Sequence, residues 1–216
     1  MSMKSVMAAL MILSGIAGCV TSVPSSRNVT PTFLSTEGAG NTTPAPTLDP
    51  TLAVASPTAL AIQGIEIAVP RDLKVSEANL MVPNADIVWR GDPMGDRYAQ
   101  VAAIFETAAA SATQGMTEGR GVILSLEVTR FHALTEKARY LTGGNYALHF
   151  DLTLRDAATG VILDGPRPVV ADVRAAGGVR AIAEDNAGRT EKVVITERLV
   201  EVLRYELAQL TSQPVL

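Results

Sequence analysis

Cysteine, histidine and aromatic residues are scarce in this chain of 216 residues: it has one cysteine, two histidines and one tryptophan, and aromatics make up 4%. With Cys19 alone there is no second thiol, so no disulfide within the chain can staple the fold and no thiol cluster can hold zinc. His132 and His149 do not sit at ligand spacing, and no nucleotide or cofactor motif stands beside them, so neither a metal nor a cofactor is expected. Positive charge is also in deficit. The 18 Lys and Arg stand against 22 Asp and Glu, a formal charge of −4, which makes nucleic acid a poor electrostatic partner.

The first apolar run, Val6–Leu13 (VMAALMIL), is far shorter than the roughly 20 residues a membrane-spanning helix needs. It follows Lys4 and leads into small residues, the layout of a secretory signal peptide. Ile16, Ala17 and Gly18 before Cys19 resemble the lipobox of bacterial lipoproteins, in which a signal peptidase cuts between Gly18 and Cys19 and the cysteine sulfur takes diacylglycerol. From the residues alone, an ordinary cleaved signal or a buried free cysteine also fits. The resemblance implies a signal peptide over 1–18 and a Cys19 anchor with palmitate-type acyl chains. Because Val20 is not aspartate, it further implies the periplasmic face of the outer membrane. Several chains are needed for firm attachment, since one binds only marginally. Cleavage would remove Lys4 from the 18 basic residues, moving the formal charge from −4 to −5 and leaving the lipid as the anchor.

Residues 19–60 form the lipidated N-terminus and a tether rich in Pro, Ser and Thr, with Pro24, Pro31, Pro44, Pro46, Pro50 and Pro57 and only Arg27, Glu37 and Asp49 as charges. Such a segment buries too little apolar surface to offset its ordering entropy. Extended, about 40 residues reach on the order of 100 Å. Residues 61–216 have the length of one globular domain.

Within that domain, Ile62, Ile65, Ile67 and Val69 predict a strand ended by Pro70. Asp92 and Pro93 predict the start of a helix carried by Tyr98, Val101, Ala102, Phe105, Ala108, Ala109 and Ala112, with Gly115 as the stop. GVILSLEVTRF alternates, Val122, Leu124, Leu126 and Val128 facing the core and Ile123, Ser125, Glu127, Thr129 and Phe131 facing away. YALHFDLTLRD does the same, with Leu148, Phe150, Leu152 and Leu154 against His149, Asp151, Thr153 and Arg155. Val169, Ala171 and Val173 predict a last strand, and Thr190–Leu210 a closing amphipathic helix. The expected fold is α+β: a two-layer sandwich with an antiparallel sheet of about four strands and two long helices on one face.

Candidate chemistry is sparse. Glu127, His149 and Asp151 share the wet face of the predicted sheet, where proton transfer and ordinary cross-strand pairing are both open. Asp92 with Asp96, or Asp151 with Asp156, are carboxylate pairs close in sequence. Arg90, Gly91 and Asp92 spell RGD at the expected helix start. Trp89 is either a core lid or an anchor for a partner. Two segments read as long loops: His132–Tyr146, with Lys137, Arg139, Tyr140 and a Gly143–Gly144 hinge, and Ala175–Thr190, whose Gly177–Gly178 pair is too weak a signal for a phosphate cradle.

In pattern the domain resembles small envelope lipoproteins that assist a membrane machine: activators of cell-wall synthases, assembly lipoproteins and auxiliary subunits of lipid transporters. PNADIVWRGDP (Pro83–Pro93) and TRFHALTEKARY (Thr129–Tyr140) resemble segments of uncharacterised lipoproteins of marine and photosynthetic alphaproteobacteria. The resemblance implies fold and address, with no activity to carry over. The expected function is therefore that of a non-enzymatic accessory module, anchored through Cys19 and contacting an envelope protein through Lys137, Arg139, Tyr140 or Trp89. The alternative is a carrier of a lipid or other apolar ligand, suggested by the small-residue face of the first helix.

Overall fold

The computed structural model describes residues 59–212, so the expected signal peptide 1–18, the expected cleavage pair Gly18 and Cys19, and the expected tether up to Thr58 lie outside the described residues. In chain order the elements are β1 (Leu60–Ala68), β2 (Ile87–Val88), α1 (Arg97–Ala112), β3 (Arg120–His132), α2 (Glu136–Leu141), β4 (Gly144–Asp156), β5 (Ile162–Val170), β6 (Val173–Ala175), α3 (Val179–Asn186) and α4 (Glu191–Ser212).

The alternating runs become β3 and β4, paired antiparallel from Val122↔Asp156 to His132↔Ala147. Val122, Leu124, Leu126, Val128, Leu148, Phe150, Leu152 and Leu154 are all buried, as the period-two pattern requires of a sheet with one covered face. Phe131 departs from that pattern. The register shifts between Val128 and Arg130, and this bulge inserts one residue, so Phe131 turns onto the core face and is buried rather than sharing the wet face with Glu127.

The sheet is mixed and not purely antiparallel, because β1 pairs with β3 in parallel. The chain between them contains α1, which carries it back across the sheet, and a strand that follows such a crossover must run the same way as the one before it. Six strands replace the expected four because each outer edge is divided. On one edge β2 succeeds β1, pairing Ile87 with Phe131. On the other, β6 succeeds β5 along β4. At that second break Ala171 N donates to Leu148 O at 2.8 Å and Leu148 N donates to Asp172 Oδ1 at 3.0 Å, so the Asp172 carboxylate stands in for a ladder carbonyl.

Among the described residues there are four helices instead of two. α1 starts later than expected, since Asp96 is its N-cap and accepts from Tyr98 N at 3.0 Å and Ala99 N at 3.3 Å. Asp92 is otherwise engaged, as described below. α1 and α4 pack together over the sheet, with Val101, Ile104 and Phe105 meeting Ile195, Leu199, Leu203 and Leu207 in one core. Ala108, Ala109 and Ala112 are buried in the same core, so packing takes up the small-residue face that suggested a ligand cavity. The few aromatics are concentrated there: Trp89 stands edge-on to Phe131 at 5.6 Å, and Phe105 edge-on to Phe150 at 5.4 Å.

Candidate interaction surface

Trp89 is wholly buried, and its Nε1 donates to Asp92 Oδ2 at 2.9 Å. Lys192 at the start of α4 donates to the other carboxylate oxygen of Asp92 at 2.7 Å. Burial works against ionisation of Asp92, but the hydrogen bonds from Lys192 and Trp89 outweigh it and hold the carboxyl below its ordinary pKa. Arg90 is spent internally as well, on Glu77 and on Glu136 at 3.0 Å. The RGD segment is thus a brace between the β2–α1 connection, α2 and α4. Trp89 is a core residue and offers no surface to a partner.

The His132–Tyr146 segment is not a loop but carries α2. Thr135 caps it, its hydroxyl accepting from Ala138 N at 3.1 Å while donating to Leu80 O at 2.7 Å. Arg139 points inward and is 5% exposed. Its guanidinium bonds Asp185 of α3 at 2.7 Å and also donates to the Tyr146 hydroxyl. Burial opposes the Arg139 charge, yet Asp185 raises its pKa further. Glu191, at the first turn of α4, is buried beside this cluster and accepts from Leu134 N at 3.1 Å. Burial pushes its pKa up to about 7, against the opposing pull of the Leu134 N–H and Arg139.

α3 likewise occupies what read as a loop, and it sits against α2. Gly178 N donates to Arg139 O at 2.9 Å. The Gly143 segment is a close backbone crossing: Gly143 has φ +70°, and a Cβ placed on Gly177 would lie 2.1 Å from Gly143 N. These two helices escape periodicity because they are short, and the signal that marks α2 is the Thr135 cap ahead of strong helix formers.

Around this corner the surface is apolar. Leu80, Met81 and Val82, Tyr140 and Leu141, and Val179 and Ile182 are seven of the thirteen exposed large apolar side chains among the described residues. They belong to three adjoining segments, because Lys137 N bonds Asn79 Oδ1 at 2.9 Å on one side of α2 and the Arg139 carbonyl meets Gly178 on the other. Of the four candidate contact residues, Lys137 and Tyr140 are exposed on this rim, while Arg139 and Trp89 lie beneath the surface.

The open face of the sheet places Glu127 opposite Asp151 and Ser125 opposite Thr153. Glu66 accepts from Ser125 at 2.9 Å and pairs with Arg155. His149 does not complete a site with Glu127 and Asp151: the bond it makes is to Asp172, 3.1 Å away. Nor do the carboxylate pairs function as pairs. Asp96 caps a helix, Asp92 braces Trp89, and Asp156 bonds Arg120 at 2.8 Å and the following turn. Among the described residues no three His, Cys, Asp or Glu side chains are placed to share a metal, and no helix is long and apolar enough to cross a membrane.

The model of a family of unknown function, DUF6778, matches residues 60–215. The chain belongs to DUF6778. The matched span runs from the first residue of β1 past the end of α4, so every element described above is part of what this DUF6778 chain shares with its family. No curated protein matches it. Among solved structures, a DUF330 protein from Xanthomonas campestris is similar at 10% identity and TM-score 0.41, with 73% of this chain and 88% of that one covered. A candidate lipoprotein from Caulobacter crescentus CB15 is similar at 15% identity and TM-score 0.33, with 68% and 88% covered. Both likenesses are too distant to bear on function.

Proposed function

We propose that this DUF6778 member is a non-enzymatic, lipid-anchored accessory module of the bacterial envelope. Cys19 holds it at the periplasmic face of the outer membrane, and the tether lets the folded domain reach a protein partner. The observation that carries the reading is the apolar rim of Leu80–Val82, Tyr140, Leu141, Val179 and Ile182. Exposed apolar side chains gathered on three adjoining segments mark a surface for interaction. The rim also stands far from Leu60, the first residue of β1. Leu60 pairs with Arg120 at the start of β3, whereas α2 follows its end, and the 13 residues of β3 separate the two by roughly 40 Å. Leu60 and the rim thus lie toward opposite ends of one strand.

The test is site-specific crosslinking in living cells, from position 141 on the rim and from position 127 on the open sheet face. One envelope protein captured from position 141 and not from 127, and lost when Leu141 and Val179 are both changed to serine, is the expected result. Equal capture by the serine variant, at an unchanged melting temperature, removes the rim as the contact. In the same cells the parent chain should incorporate labelled palmitate and the Cys19→Ser chain should not, and equal labelling of the two overturns the lipid anchor.

A further inference from the structure

Between β6, α3 and the start of α4 lies a cavity of about 310 Å³, at the lower end of the range for small-molecule sites. Its wall takes atoms from Arg174, Arg180 and Arg189, with Glu184 as the one acidic residue among those that line it. That balance runs against the chain as a whole, where 22 acidic residues outnumber 18 basic ones. Arg174 makes no ion pair among the described residues. Arg180 pairs only with Glu184, one helical turn away at 3.2 Å, and Arg189 pairs with Glu197 at 2.6 Å, both of them solvated surface pairs. Exposed pairs of this kind hold their partners weakly, so either guanidinium can turn to a stronger acceptor. Val173 and Val194 supply an apolar floor, and the Gly177 backbone forms part of the rim.

From this we infer that the cavity is a binding site for a phosphate-bearing anion of about glycerol phosphate size. Guanidinium groups match a phosphate with paired, charge-assisted hydrogen bonds that lysine cannot reproduce. The volume admits a headgroup and leaves no room for acyl chains. This inference goes beyond the proposed accessory role and does not depend on the protein partner at the apolar rim.

The experiment uses the full chain carrying Cys19→Ser, which removes the proposed anchor without touching the described residues. Calorimetric titration with glycerol 3-phosphate forms one arm. Flotation with phosphatidylcholine vesicles, with and without phosphatidylglycerol, forms the other. Binding in either arm, weakened about tenfold or more by Arg174→Gln with Arg189→Gln and by added salt, is the expected result. Binding of free glycerol phosphate assigns a soluble source, and binding only of vesicles that contain phosphatidylglycerol assigns a lipid headgroup. Absence of binding in both arms overturns the inference. So does binding that the double variant, folded with an unchanged melting temperature, leaves intact.

Discussion

The Arg139 guanidinium donates to the Asp185 carboxylate at 2.7 Å and so fastens α2 to α3. Its side chain is 6% exposed and that of Asp185 is 28% exposed, which puts one partner in the interior and the other at its edge. Arg139→Ala therefore removes a buried charge and the donor shared by Asp185 and the Tyr146 oxygen, leaving Asp185 the Tyr140 hydroxyl at 3.1 Å. The expected loss is roughly 2 to 3 kcal/mol, less than for a wholly buried pair because Asp185 keeps some water. Tyr140→Ala, one residue along on the exposed side, should cost no more than about 1 kcal/mol. Urea unfolding midpoints check both, and equal effects of the two substitutions would refute the assignment of Arg139 to the interior.

Glu191 predicts an unusual pH dependence. Its pKa is raised from 4.5 to about 7, so the folded state holds the proton more tightly than the unfolded chain does. Stability from this group is greatest in acid, falls as pH rises from about 4.5 through 7, and stays low above that. Arg139, Tyr146 and Asp185 lie around it, and none reverses that direction. Glu191→Gln keeps an acceptor for Leu134 N and removes the charge. It should flatten the profile and raise stability near pH 8 by an amount on the order of 2 to 3 kcal/mol, with little change near pH 5. Unfolding curves at the two pH values decide it, and a variant less stable than the parent at pH 8 would contradict the sign.

Gly177 tests the crossing between the α2–β4 and β6–α3 connections. A methyl group there meets Gly143 N at 2.1 Å and Thr142 C at 2.3 Å, backbone atoms that cannot swing aside. Gly177→Ala should cost about 2 kcal/mol or more. It should also speed hydrogen exchange in α2 and α3 ahead of the central strands, because the crossing holds that corner closed. An alanine variant as stable as the parent would show that the two segments part easily.

Where the residues carried a strong period, the elements were legible from the chain itself. The buried faces of β3, β4, α1 and α4 follow from alternation or helical spacing, since one buried face leaves no other phase for a strand or a long helix. Two features fell outside periodicity. The bulge near Thr129 shifts Phe131 by a single residue, and nothing local distinguishes that from an unbroken strand. Asp92 and Asp96 are both competent helix caps four residues apart, and the choice between them rests on Lys192, a hundred residues further along the chain.

By itself the sequence determined the two central strands and the two long helices, because period acts locally. The tertiary structure decided the parallel pairing of β1 with β3, the inward turn of Arg139 and Trp89, and the gathering of Leu80–Val82, Tyr140, Leu141, Val179 and Ile182 into one rim. It also brought Arg174, Arg180 and Arg189 around one cavity. Each of these joins residues far apart in the chain, and their meeting is set by how β-strands and helices pack, which no local pattern encodes.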